Sequence, residues 1–398
     1  MVHFAHKLCN GLASAFGEVR LVGSDQFELK KLQRDYQLIE DFQIPRGDMV
    51  ARTGVLGKLS TAWLRSILTV RFIRQYRRAV NQLIKRQPKY SLVATIFRYP
   101  MMGYYLGRMK KNGVKCLQIC HEYQLREERT RWKSRLVNWS NRNAYQQFHA
   151  IFFLSESQRI GFQKVYPEIE AKRLFVIRHG NASLFGEIKS DRPVAEVAQK
   201  YGIDADRQVV LFFGRIRRDK GVEDIIEAMQ ILKSRLPQNA MPQLVLAGHT
   251  RPELLSQLNR IIAQHKLGLD VILFPQYVPT EDVWHLMSSA DIAVFPYRSS
   301  SQSGALQVAM ASGKAIVASD VGGIPEVIAD EVTGLLVSPQ APEELAAAIE
   351  RLLTADELAE KLAKAALRES QTTYGWETVA GQMTTALQTL ESDLDLNK

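Results

Sequence analysis

Cysteine is scarce in this 398-residue chain, and the three present, Cys9, Cys116 and Cys120, form no CxxC pair and no Cys/His set with metal-ligand spacing. A disulfide framework and a structural zinc cluster are thereby excluded, and the thiols read as reduced and buried in stretches such as VKCLQIC. Long hydrophobic runs are missing as well. No stretch reaches the roughly 18 apolar residues that a spanning helix needs, and MVHFAHKLCNGLASAF carries His, Lys and Asn where a secretion signal would have its apolar centre. The expectation is a soluble protein of the cytoplasm. No internal repeat or low-complexity tract stands out.

Negative charge is the most unevenly missing feature. Between Met49 and His121 there is no acidic residue. Residues 1–190 hold 33 Lys and Arg against 14 Asp and Glu, a balance of +19, whereas the remainder holds 19 against 28, a balance of −9. A soluble fold does not require that asymmetry, so the first half is expected to face something anionic. Within it, TAWLRSILTVRFIRQYRRAVNQLIKRQ (residues 61–87) sets Trp63, Leu64, Ile67, Leu68, Phe72, Ile73, Tyr76, Val80 and Ile84 among seven Arg and Lys. Such a segment docks on an anionic membrane surface as an interfacial helix, or packs its apolar face into the core and leaves the arginines solvated. The acid-free surroundings favour the membrane. A second candidate is TRWKSRLVNWSNR, with Trp132 and Trp139 one heptad apart. Nucleic-acid binding would need a recognisable motif or regularly spaced aromatics, and neither occurs, so no nucleic-acid partner is expected.

What is present is a core: 46% of residues are apolar and 24% charged, and the length suits two domains. From about residue 206 short apolar runs bounded by Gly or Pro (QVVLFFG, QLVLAG, VILFPQ, DIAVFP, AIVAS, TGLLV) alternate with helix-period segments such as VEDIIEAMQILKSRL and ELLSQLNRIIAQHKL. That alternation predicts a doubly wound parallel sheet. The first half repeats it less regularly, with strand candidates VRLVGS, YSLVATIF, VKCLQICHE, AIFFLS and LFVIRHG. It opens on a helical pattern rather than an apolar strand and Gly-rich turn, which leaves a first strand missing from the domain; the expectation is a native start upstream of Met1. A linker is expected around residues 184–206, where GEIKSDRPVAEVAQKYGIDADRQ is polar.

The run GRIRRDKG, Gly214 to Gly221, follows the apolar stretch VVLFF and packs four cations into six residues. Gly214 permits close backbone approach at the carboxyl edge of the sheet, and Arg215 and Lys220 follow in the turn. A pyrophosphate held there needs that charge, more so as a leaving group. The plain alternative is a solvated turn. A second feature shifts the balance: in YRSSSQSGALQVAMASGKAIVASDVGG a Ser/Gly-rich loop enters a helix, and the free N–H groups of Ser303, Gly304 and Ala305 form an anion site.

Together FFGRIRRDKGVEDIIEAM, YVPTEDVWHLMSSADIAVFP, SGKAIVASDVGGIPEVIADEVTGLLVSP and WETVA resemble the retaining, GT-B-type glycosyltransferases of family 4, with support from ICHE (119–122), FFLSES (152–157) and VIRHGN (176–181) in the first half. The resemblance implies two facing doubly wound, Rossmann-like domains: residues 1–190 for the acceptor, 191–375 for a nucleotide-sugar, and a last helix, 376–391, crossing back to the first domain. It implies that Arg215 and Lys220 hold the donor diphosphate and stabilise the departing nucleotide without a metal, and that His121 faces the donor sugar. On the residues alone His121 is equally an ordinary strand-end histidine.

The family's two glutamates eight positions apart fall here on Ser300 and Val308. Some family members resemble this chain in having Gln-Ser-Gly at the loop, which makes Gln302 and Ser303 the polar replacements in a subgroup lacking the paired glutamates. Glu326 is a candidate for local structure first and donor contact second. Two DxD tripeptides, Asp204 to Asp206 and Asp393 to Asp395, lie in a turn and in the tail, so neither a metal nor another cofactor is expected. The implied activity is retaining hexosyl transfer from a UDP- or GDP-sugar to a glycan or lipid-linked acceptor, in cell-surface polysaccharide or glycolipid synthesis, by a cytoplasmic protein held peripherally on the inner face of the membrane. The alternative, motivated by Ser300 and Val308, is a weak or inactive nucleotide-sugar-binding protein of the same fold.

Overall fold

The computed structural model describes residues 2–16, 19–24, 35, 37–42, 57–93, 102–123 and 139–395. The chain divides into two compact units, one of Met1–Leu154, Arg159–Ile177 and Ala380–Lys398, the other of Ser155–Gln158 and Arg178–Val379.

In the first unit, β1 (Arg20–Ser24) and β2 (Gln37–Phe42) pair in parallel. A separate sheet runs in the order β3 (Tyr90–Val93), β4 (Lys115–Cys120), β5 (Ala150–Phe153), β6 (Leu174–Val176), every neighbouring pair parallel. Every residue of β5 is buried, the near-continuous apolar reading that a parallel sheet covered on both faces imposes. The helix Gly57–Arg86 ends where Gln87 adopts a left-handed φ of 47° and Pro88 follows. In its second half Val80 belongs to the same core cluster as Leu106 and Met109, and Tyr76, Leu83 and Ile84 pack against that cluster. There the apolar face belongs to the protein interior, while Arg74, Arg77 and Arg78 are exposed. The side chains of Trp63, Leu64, Ile67, Leu68 and Phe72, and the whole of Trp132, lie outside the described residues.

The last helix, Trp376–Asp395, belongs to the first unit from Ala380 onward. Its Glu391 accepts hydrogen bonds from the Tyr90 hydroxyl at 2.5 Å, Lys89 Nζ at 3.2 Å and Lys115 Nζ at 3.4 Å, which ties the helix to the start of β3 and β4. No helix among the described residues is long and apolar enough to cross a membrane.

The second unit is a doubly wound α/β domain. Its strands are β7 (Val209–Phe213), β8 (Gln243–Ala247), β9 (Val271–Phe274), β10 (Ile292–Phe295), β11 (Ala315–Ser319) and β12 (Leu335–Val337). All are parallel, in the order β12-β11-β10-β7-β8-β9, which is the 3-2-1-4-5-6 arrangement of dinucleotide-binding sheets. The expected polar linker is instead part of this unit. Val197 and Tyr201 are buried, and the fully buried Asp282 carboxylate accepts bonds from Arg192 at 2.6 Å, Lys200 at 2.5 Å and the Tyr201 hydroxyl at 2.9 Å. A segment that reads as polar in sequence is thus held by one buried acid lying about eighty residues further on.

Candidate functional site

In a sheet of this order the connections leave in opposite directions from two adjacent strands, here β7 and β10, and the crevice beyond their carboxyl ends is where ligands bind. The basic turn starts at that crevice. Gly214 N–H bonds Ala247 O at 3.0 Å and Ile216 N–H bonds His249 O at 3.0 Å, so the chain leaving β7 stays laced to the chain leaving β8. Residues Arg218–Lys220 make one 3₁₀ turn into the helix Val222–Arg235. Between them Gly221 has φ 62°, and a Cβ there would stand 1.8 Å from Pro296 O. Glycine is what lets the turn close onto the end of β10. Asp219 O completes the closure by accepting the N–H of Arg298 at 3.0 Å, while Arg298 forks onto the Asp224 carboxylate at 2.5 and 2.9 Å.

The four cations have different fates. Arg217 pairs with Asp219 at 2.7 Å and Arg218 bonds Gln257 at 3.0 Å. Lys220 Nζ lies 3.4 Å from the centre of the Tyr297 ring, a cation–π contact that fixes its place over the crevice. Arg215 is exposed and pairs with no carboxylate among the described residues.

The Ser/Gly loop meets this turn. It enters the helix Gly304–Ala311, whose N-cap is Ser303: Leu306 N–H donates to Ser303 Oγ at 3.2 Å and Gln307 N–H to Ser303 O at 3.3 Å. The N–H groups of Gly304 and Ala305 remain at the open first turn, where the helix dipole favours an anion. Ser303 Oγ also hydrogen-bonds the Tyr297 hydroxyl at 2.9 Å, and a Cβ on Gly214 would lie 3.9 Å from that of Ala305. Tyr297, 2% exposed, therefore touches both the basic turn and the open helix N-terminus, the lysine through its ring and the helix cap through its hydroxyl. Sequence reasoning passed over it. Its only signal is an aromatic directly after the Pro that ends a strand.

The other candidates separate. Ser300 is buried and its hydroxyl donates to Gln302 O at 3.0 Å, which gives it a loop-closing duty, while Gln302 is half-buried. Val308 lies in the core at 2% exposure. The Glu326 carboxylate accepts the N–H of Glu156 at 2.6 Å and of Ser157 at 2.8 Å, a local structural role. His121 lies in the first unit directly after β4, half-buried. In VIRHGN, Asn181 anchors the chain ahead of the last helix: its N–H bonds Tyr374 O at 2.7 Å, its Nδ2 bonds Ser370 O at 2.9 Å, and its O accepts Trp376 Nε1 at 3.0 Å. Burial pulls the neighbouring His179 down to about 4, which keeps it neutral. All three cysteines are buried, their thiols pushed up to about 12, and so unreactive. Asp204 closes its own turn by accepting Asp206 N–H at 3.0 Å, and the side chains of Asp393 to Asp395 lie outside the described residues.

The family described as Glycosyl transferases group 1 matches residues 194–369, and the Glycosyl transferase 4-like domain matches residues 1–180. The alpha-maltose-1-phosphate synthase of Mycolicibacterium smegmatis is 28% identical over 254 residues, covering 62% of this chain and 64% of its own length. The chain thus spans a little under two thirds of that relative. Among solved structures, the sucrose-phosphate synthase of Thermosynechococcus elongatus superposes with a TM-score of 0.67 at 21% identity over 98% of this chain and 93% of its own. The Anabaena protein HepE in complex with UDP-glucose gives 0.67 at 18% identity over 96% of each chain. A glycosyltransferase family thus matches each half of the chain, and its two parallel-sheet α/β units have the GT-B fold.

Proposed function

We propose that the protein transfers a hexose from a UDP- or GDP-sugar to a glycan or lipid-linked acceptor with retention of configuration. The observation that carries this reading is the convergence at Tyr297 of a basic turn and an open helix N-terminus, beyond the switch point of the second unit's sheet. A diphosphate suits it: Arg215 can fork onto two oxygens, Lys220 adds a point charge, and the N–H groups of Gly304 and Ala305 complete the cradle. HepE, with the same fold, holds UDP-glucose. Metal independence is part of the proposal and rests on these charges.

The chemistry proposed is a front-face displacement. The acceptor hydroxyl oxygen bonds to the anomeric carbon on the face from which the diphosphate departs. The carbon–oxygen bond to phosphate breaks with its electron pair, and the departing phosphate oxygen takes the acceptor's proton. Charge on the leaving group grows through this step, so Arg215 and Lys220 stabilise the transition state more than the bound donor. His121 is proposed to face the donor sugar, Gln302 to supply the polar contact that a family glutamate makes, and the first unit to present the acceptor at an anionic membrane surface in cell-surface polysaccharide or glycolipid synthesis.

The test is a scan of UDP- and GDP-sugars with candidate acceptors, reading released nucleoside diphosphate and the anomeric configuration of the product. Transfer with retention is expected; no turnover with any donor would contradict the proposal. The buried Val308 favours one second reading, a protein that binds nucleotide-sugar and has lost transfer, because no carboxylate stands where the family has its second glutamate. Nucleotide binding without turnover in the same scan would select it.

A further inference from the structure

We infer that Glu326 is a positioning residue for the Ser300–Gln302 loop, acting through the Ser155–Gln158 segment. This rests on the reading of that loop as part of the donor site. Three segments of the second unit meet here. Gly323 N–H bonds Ser300 O at 3.2 Å, and Cβ atoms on Gly322 and Gly323 would stand 1.8 Å from Ser300 O and 2.4 Å from Ser301 O, so the loop rests on the bare backbone of a glycine pair. On its flank, Ser155 Oγ donates to Ser301 O at 3.3 Å and accepts Gln158 N–H at 3.2 Å. Three residues past the glycine pair, the Glu326 carboxylate grips the next two residues after Ser155, taking Glu156 N–H at 2.6 Å and Ser157 N–H at 2.8 Å.

The grip is directional and charge-assisted. These N–H groups open the helix Glu156–Val165, so the carboxylate meets both hydrogen-bond donors and the positive end of the helix dipole. The base of Glu326 is held as well, because Tyr374 OH donates to Glu326 O at 3.0 Å. One side chain thus keeps the flanking serine and the supporting glycine pair in fixed relation, and the loop lies between them. The chain has no family glutamate at Ser300 to order the loop by binding sugar; here order comes from outside it.

Glu326→Gln keeps the size of the side chain but turns one accepting oxygen into an amide donor facing a backbone N–H. Its effect is read in two ways. Hydrogen exchange followed by mass spectrometry should show faster exchange in peptides spanning residues 299–303 as well as at the released Glu156 and Ser157 amides, with the remainder of the second unit unchanged. Steady-state kinetics should show the donor KM raised on the order of tenfold with a smaller change in kcat, and partial recovery in Glu326→Asp. Ser155→Ala, which removes the flanking hydroxyl and its bond from Gln158 N–H but leaves the Glu326 grip on Glu156 and Ser157, should give the same two changes to a lesser degree and stands as the second variant should Glu326→Gln fail to fold. Exchange at 299–303 equal to wild type in the folded variants would overturn the inference. Wild-type protein that binds no nucleotide-sugar would overturn the donor-site reading instead, and the exchange measurement would still decide the clamp.

Discussion

Arg215, Arg217, Arg218 and Lys220 stand in one turn, yet they are not interchangeable. Arg217 and Arg218 are committed to Asp219 and Gln257, Lys220 is held over the Tyr297 ring, and Arg215 is exposed without a carboxylate partner among the described residues. We expect Arg215→Ala and Lys220→Ala each to slow transfer by the equivalent of about 2.7–4 kcal/mol, as deletion of a transition-state hydrogen-bond donor does. Thermal melting of both variants should stay near wild type, since neither side chain builds the core. Arg218→Ala is the control and should retain near-normal rates. Equal rates in all three variants would place the donor elsewhere. The basic turn and the Ser/Gly loop were legible in sequence because charge and glycine show in the letters. Tyr297 was not, because its role comes from three-dimensional proximity to Lys220 and Ser303. Glu326 was legible only as a candidate, since its partners lie about 170 residues away in the chain.

At the scale of elements, the second unit was readable for a physical reason. Strands such as QLVLA are buried at every residue, so each appears as an uninterrupted apolar run, and the helices between them carry a clear period. In the first unit β2, QLIEDF, escaped notice because it carries two acids among few apolar residues. The helix Trp376–Asp395 supplies a test at this scale. The hydrogen bond from Tyr90, with Lys89 and Lys115, holds the Glu391 carboxyl at about 2, below its ordinary value of 4.5. A carboxylate depressed on folding contributes stability that is fully present above the unfolded value and is lost as pH falls from about 4.5 towards about 2. Glu391→Gln should therefore melt below wild type at pH 7, and the gap should shrink steadily beneath pH 4.5. A gap independent of pH down to about 2 would show that the network around Glu391 does not hold the helix.

Across the whole molecule, a first half at +19 is joined to a second at −9. Arg74, Arg77 and Arg78 are exposed on the helix Gly57–Arg86, and the neighbouring helix Met102–Lys111 is bonded to it through Arg108 and Asn81 at 3.2 Å. Tyr104 is 66% and Trp139 61% exposed, although the stripe of Tyr76, Val80 and Ile84 is turned inward. The composition of the segment suggested an interfacial helix; its second half presents cations, with the exposed aromatics on neighbouring elements. At about 1 kcal/mol per basic residue near anionic lipid, these three arginines would contribute about 3 kcal/mol to the proposed docking. Vesicle co-sedimentation should rise with anionic lipid content, fall with salt, and weaken in Arg77→Glu/Arg78→Glu and in Trp139→Ala. Equal, negligible binding to neutral and anionic vesicles at low salt would return the charge to a soluble anionic acceptor.

A nucleoside diphosphate is proposed to sit beyond β7 and β10 of the second unit, between the basic turn and the helix Gly304–Ala311. Calorimetric titration of UDP and GDP, with a chelator present, into wild type and Arg215→Ala/Lys220→Ala tests it most directly. One nucleotide should bind per wild-type chain, with at least a tenfold loss of affinity in the double variant; undiminished affinity in that variant, or no binding of either nucleotide to wild type, would contradict this placement of the donor.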